Sequence, residues 1–177
     1  MKNLSMTAVL LALSACATAP KSAESKASLE DSATATLNAM IRKDPGLENR
    51  LRGAAGYAVF PSIGKGGFIA GAAYGRGILY QDGRSVGFVE LNQGSLGAQI
   101  GAQTFAELIV FLEPTGVEQL KGGKFSLGAN ASAVVLTTGA AATARFQNGV
   151  GVFVMPKGGA MAELSVSGQQ INFQPQG

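Results

Sequence analysis

The chain has no histidine, no tryptophan and a single cysteine, Cys16, among its 177 residues. Without histidine it has no side chain whose ordinary pKa lies near neutrality, and it lacks the commonest metal ligand. One cysteine forms no internal disulfide, no CxxC pair and no zinc cluster. Ser-His-Asp and Cys-His nucleophilic centres are excluded by the same counts. Charge is scarce too. Only 14% of residues are Asp, Glu, Lys or Arg, and the net charge of +3 is too slight to argue for nucleic acid. What is abundant is glycine, 25 residues, none of them before Gly46. That composition argues for a glycine-turned β domain that follows a helical N-terminal part.

The N-terminus reads as an export signal. Lys2 supplies the positive region, and Leu4 to Leu13 is an apolar stretch too short to span a bilayer. It ends in Leu13-Ser14-Ala15-Cys16, which resembles the lipobox of bacterial lipoproteins. That resemblance implies cleavage before Cys16 and acylation of Cys16, a palmitate-bearing anchor of two or three chains that holds stably where one would not. The alternative is a secreted protein cut at Ala17-Thr18-Ala19. Ala17 in place of Asp resembles the outer-membrane sorting group, so the expected location is the bacterial outer membrane, lipid-anchored and facing the periplasm. The expected organisation is a signal peptide over 1–15, the acylated cysteine and a flexible tether over 16–27, and one domain over 28–177.

Within that domain, Ser28 is the expected N-cap of a first helix, with Asp31 in the box position and Asp44-Pro45-Gly46 as its stop. A shorter helix over about 47–54 follows. Strands divided by glycine turns are then expected at 57–61, 68–74, 77–81, 86–91, 105–112, 125–146, 149–155, 160–167 and 171–173. Asp82-Gly83 carries a type I′ hairpin signature, and Pro114 starts a short helix. The run Leu108 to Leu112 should be buried on both faces, and it reads equally as strand or helix. Glycines inside strands, among them Gly71, Gly75, Gly77 and Gly151, call for tight bending, for close approach of another backbone, or for a ligand lying on bare backbone. The fold class is therefore α+β: N-terminal helices packed on a strongly curved, barrel-like, mostly antiparallel sheet.

No catalytic group emerges. The nearest fragment to a phosphate loop, Gly64-Lys65-Gly66-Gly67, lacks the hydroxyl and the spacing of GxxxxGK[ST]. Of the acids beyond Gly46, Glu90, Glu107 and Glu163 are expected one to a strand, pointing outward into solvent rather than forming a pair. A non-enzyme is expected, with no cofactor, no metal and no nucleic-acid partner.

Ala58-Val59-Phe60-Pro61-Ser62-Ile63-Gly64-Lys65-Gly66-Gly67-Phe68-Ile69-Ala70-Gly71, followed by Gly75-x-Gly77, resembles the opening of the SYLF domain. Gly94 to Gln103 is similar to its central GxQxG segment, and Gly123 to Ala131 and Pro156 to Gly159 resemble its later blocks. The resemblance covers about residues 30–168. Val86-Gly87-Phe88-Val89 departs from the Trp-Ser-x-Pro usual after the turn. The resemblance implies non-catalytic binding of a phospholipid or other amphiphile. The other reading is a structural lipoprotein that meets an envelope protein partner through a sheet edge.

Lys-Gly-Gly occurs at Lys65, Lys121 and Lys157. Such a turn either presents backbone N–H groups to an anion or is an ordinary solvated turn. With lipid as the implied ligand, the expected headgroup site is Lys65, Arg76 and Lys157 over an apolar floor of Phe60, Phe68 and Phe153.

Overall fold

The computed structural model describes residues 22–66, 72–94, 103–128, 131–158 and 166–176. The expected anchor Cys16 and the ring of Phe68 lie outside the described residues, as does Glu163. Helix α1 spans Ala23–Lys43. Its cap is Ser22 rather than Ser28: the Ser22 hydroxyl accepts from the Ser25 N–H at 3.1 Å, and the Ser25 hydroxyl accepts in return from the Ser22 N–H at 3.2 Å. Ala23 to Ala27, expected in the tether, are therefore helical. The Asp44 N–H closes the helix on the Met40 carbonyl at 3.0 Å, and α2 follows over Gly46–Arg52.

Among the described residues seven strands form one sheet: β1 Gly56–Gly66, β2 Ala72–Gln81, β3 Arg84–Gly94, β4 Gln103–Phe111, β5 Ala133–Val135, β6 Val150–Gly158 and β7 Gln169–Pro175. Helix α3 is Pro114–Lys121 and α4 is Ala140–Thr143. The sheet order is β5-β6-β4-β1-β2-β3-β7. Every ladder is antiparallel except that between β5 and β6. Among the described residues the sheet is open, with β5 and β7 as its edges, which corrects the barrel-like expectation. Closure needs the first and last strands to pair, and these two share no ladder.

Local chemistry explains the ladders. Asp82 and Gly83 both take positive φ, 50° and 72°, as a type I′ turn requires, and they join β2 to β3. Pro61 sits where the register of β1 shifts against both neighbours, a bulge that accommodates a residue with no N–H in an interior strand. Across from the bulge, the Val59 carbonyl occupies the space a Gly77 side chain would fill, and a Cβ on Gly75 would meet Ile63 Cγ1 at 2.6 Å. Close backbone approach, not a turn, therefore explains these two glycines, and β2 runs unbroken through both. The Leu108 run resolves as strand β4, flanked by β1 and β6. The strand expected over 125–146 does not form. Gly139 turns the chain at φ 83°, the alanines behind it wind into α4, and only β5 remains extended.

Both faces of the sheet are covered. On one, Ala33 and Met40 of α1, Leu47 of α2 and Ala141 of α4 pack against Val59, Ile78, Leu108 and Phe153. On the other, Val117 and Leu120 of α3, with Phe125 and Leu127 beyond it, pack against Phe60, Phe105, Ile109, Phe111 and Val152. Among the described residues, no helix is long and apolar enough to cross a membrane.

Candidate ligand-binding cavity

The residues expected to converge from the sequence are only partly brought together. The backbones of Lys65 and Lys157 lie at the same end of the sheet with β4 between them, since Gly64 and Gly158 both face Thr104. Arg76 of β2 lies opposite Ser62, on the far side of β1 from β4. It is held there: its Nε donates to the Tyr74 hydroxyl at 2.7 Å, and its guanidinium lies 5.9 Å from the Tyr74 ring centre. Tyr74 in turn donates to Glu90 at 3.1 Å. Phe60 and Phe153 are both fully buried, but in different clusters on opposite faces. With both faces of the sheet covered, the two rings do not share one floor.

A cavity of about 550 Å³ opens elsewhere, between α3, residues 124–128 and 131–132, and the hairpin leading into β6. Its floor includes Phe125, Leu127 and Val152, at 8%, 5% and 4% exposure. Phe111 fixes that floor from beneath, edge-on to Phe125 with ring centres 5.0 Å apart. The floor segment is sewn to β7, because the Leu127 N–H donates to the Gln169 carbonyl at 2.9 Å and Gly168 N–H returns to Leu127 at 2.7 Å. Exposed Lys124 and Arg145 stand on the rim, and among the described residues neither side chain has a hydrogen-bond or ion-pair partner. Glu113 closes the rim, its Cδ 3.7 Å from where a Cβ of Gly149 would stand. An apolar floor with a few convergent polar groups is the usual make-up of a small-molecule site, and this volume lies in that range.

Sequence reasoning missed both cations. Lys124 was concealed behind the second Lys-Gly-Gly turn, where Gly123 at φ 68° redirects the chain. Arg145 fell inside the strand that does not form. The one legible signal was the echo of Ser95-Leu96-Gly97 in Ser126-Leu127-Gly128, whose second copy lines the cavity.

One acid departs from expectation altogether. Glu107 is not outward and solvated: it is fully buried on β4, facing the α3-side core. Burial pushes its carboxyl up to about 7, against a hydrogen bond from Gln169 that acts in the opposite direction. Among the described residues no group of three or more His, Cys, Asp or Glu is placed to hold a metal ion.

Residues 92–176 match the family model described as "Ysc84: Las17-binding protein actin regulator". The match takes in the later blocks quoted above, from Gly94 to Gly159, and leaves out the opening block around Ala58 to Gly77. No curated protein matches the chain. Residues 92–176 thus match the SYLF domain family, which is known for lipid- or actin-related binding.

Proposed function

We propose that this chain is a non-catalytic lipid-binding protein of the bacterial envelope, tethered to the outer membrane by acylated Cys16, and that it holds a phosphate-bearing amphiphile in the cavity beside α3. The observation that carries this reading is the pairing of an apolar floor with two unpartnered cations, Lys124 and Arg145, on one rim. Arginine presents a planar fork to a phosphate and lysine adds a point charge, while the acyl part loses contact with water over Phe125 and Val152. The family's record of lipid-related binding supports the same ligand class.

Native mass spectrometry of residues 22–177 after incubation with phosphatidylglycerol tests it. A bound lipid is expected, and Lys124→Ala with Arg145→Ala should weaken binding roughly 10- to 30-fold, less at high salt. The pair Lys65→Ala with Lys157→Ala distinguishes the cavity from the strand-end location. A clean apo mass at saturating lipid would favour a protein partner instead.

A further inference from the structure

The rim of the cavity carries charge of both signs, and these charges do not cancel one another. Glu113, Lys124 and Arg145 all line it, yet the ion pair among the described residues is Lys121 with Glu118, at 3.7 Å on the outside of α3. No nitrogen of Lys124 or Arg145 comes within 4.0 Å of the Glu113 carboxylate, although three long side chains surround one opening. The Glu113 side chain lies beside the hairpin turn at Gly149, its Cδ 3.7 Å from where a Gly149 Cβ would stand. Glu113 is the N-cap residue of α3, and its side chain makes no cap hydrogen bond there.

Separated charges over an apolar floor are complementary to a ligand that carries both signs at one end and an acyl body at the other. A purely anionic headgroup would meet Lys124 and Arg145 favourably but would lie beside the Glu113 carboxylate at a cost. Resting on the lipid reading above, we infer that the occupant is a zwitterionic phospholipid with a primary ammonium, its phosphate between Lys124 and Arg145 and its ammonium on Glu113. A primary ammonium donates hydrogen bonds to a carboxylate, whereas a quaternary one offers only diffuse charge.

Isothermal titration calorimetry of the full chain in a maltoside detergent, whose headgroup has neither phosphate nor amine, provides the test. The probes are dihexanoyl phosphatidylethanolamine, phosphatidylglycerol and phosphatidylcholine, together with O-phosphoethanolamine. The ethanolamine lipid should bind roughly twofold to fivefold more tightly than the other two lipids, a span typical of one partly exposed charge contact. Glu113→Gln should erase that advantage while leaving phosphatidylglycerol bound equally or more tightly. If phosphatidylglycerol or phosphatidylcholine binds as well as the ethanolamine lipid, or if Glu113→Gln leaves the ratios unchanged, the zwitterion inference is overturned and lipid binding stands. If O-phosphoethanolamine matches its lipid, the occupant is a free headgroup and the inference is overturned. If no lipid binds the parent chain, the lipid reading itself fails.

Discussion

Gln169 of β7 donates a 3.0 Å hydrogen bond to Glu107 of β4, although β1, β2 and β3 lie between those strands in the sheet. Both residues are fully buried, and one oxygen of each, Glu107 Oε1 and Gln169 Oε1, has no partner among the described residues. The bond ties an edge strand to the centre of the core, and it places a carboxyl where water cannot solvate it.

That carboxyl makes stability depend on pH with a defined sign. Its pKa is about 7 in the folded chain and near 4.5 when solvated, so between those values the folded state holds the extra proton. Stability therefore falls as pH rises through that window, by the order of 3 kcal/mol in all. Glu107→Gln keeps an acceptor for Gln169 and cannot ionise. Thermal melts should show the variant more stable than the parent at pH 8, with the difference closing at pH 4.5. A parent chain whose melting point is flat between pH 5 and 8 would contradict the assignment.

Asp44 is the opposite case. Burial alone would push its carboxyl up, but the backbone N–H groups of Ala141, Gly139 and Gly46 together outweigh burial and hold it below the ordinary value. Two of those bonds measure 2.6 Å, from Ala141, and 3.1 Å, from Gly46. The Ala141 bond ties the end of α1 to α4 and the Gly46 bond ties it to α2, while Arg50 of α2 donates to the Ala141 and Ala142 carbonyls of α4 at 2.9 and 2.8 Å. Asp44→Ala should cost about 2 to 4 kcal/mol in urea unfolding at pH 7. The contribution of the parent carboxylate is lost as pH falls through its depressed pKa, so the gap between parent and variant should narrow in acid.

The strand glycines divide into two kinds. A side chain at Gly77 would collide with the Val59 carbonyl, while a Cβ on Gly64 meets nothing within 4 Å. Gly77→Ala should therefore destabilise by about 2 kcal/mol or more, and Gly64→Ala should stay within about 0.5 kcal/mol of the parent. Equal melting temperatures for the two variants would show that the bulge at Pro61 yields easily.

The expected anchor is tested separately from the fold. Cys16→Ser should abolish palmitate labelling and move the protein out of the membrane fraction. Labelling that persists in this variant would exclude Cys16 as the acylated residue.

Much of the fold was legible because it rests on chemistry within a few residues. Asp82-Gly83 sets its own turn through positive φ, Pro114 starts α3 because its missing N–H is unneeded there, and Asp44-Pro45-Gly46 ends α1. The motifs Gly94 to Gln103 and Pro156 to Gly159 lie within residues 92–176, which match the family. Long-range pairing decided the rest. Alternation along β4 assigns Glu107 to a face, but only the docking of α3 and the Phe125 segment shows that this face is interior. Phe60 and Phe153 likewise read as one apolar set along the chain, and the sheet separates them because both of its faces are covered. The cavity depends on tertiary structure most of all. Glu113, Lys124 and Arg145 belong to three local structures, and what joins them is the packing of Phe125 on Phe111 and the bonding of Leu127 to Gln169. Local propensity fixes turns and helix ends within a few residues, whereas contacts between distant segments depend on which faces the whole chain manages to bury.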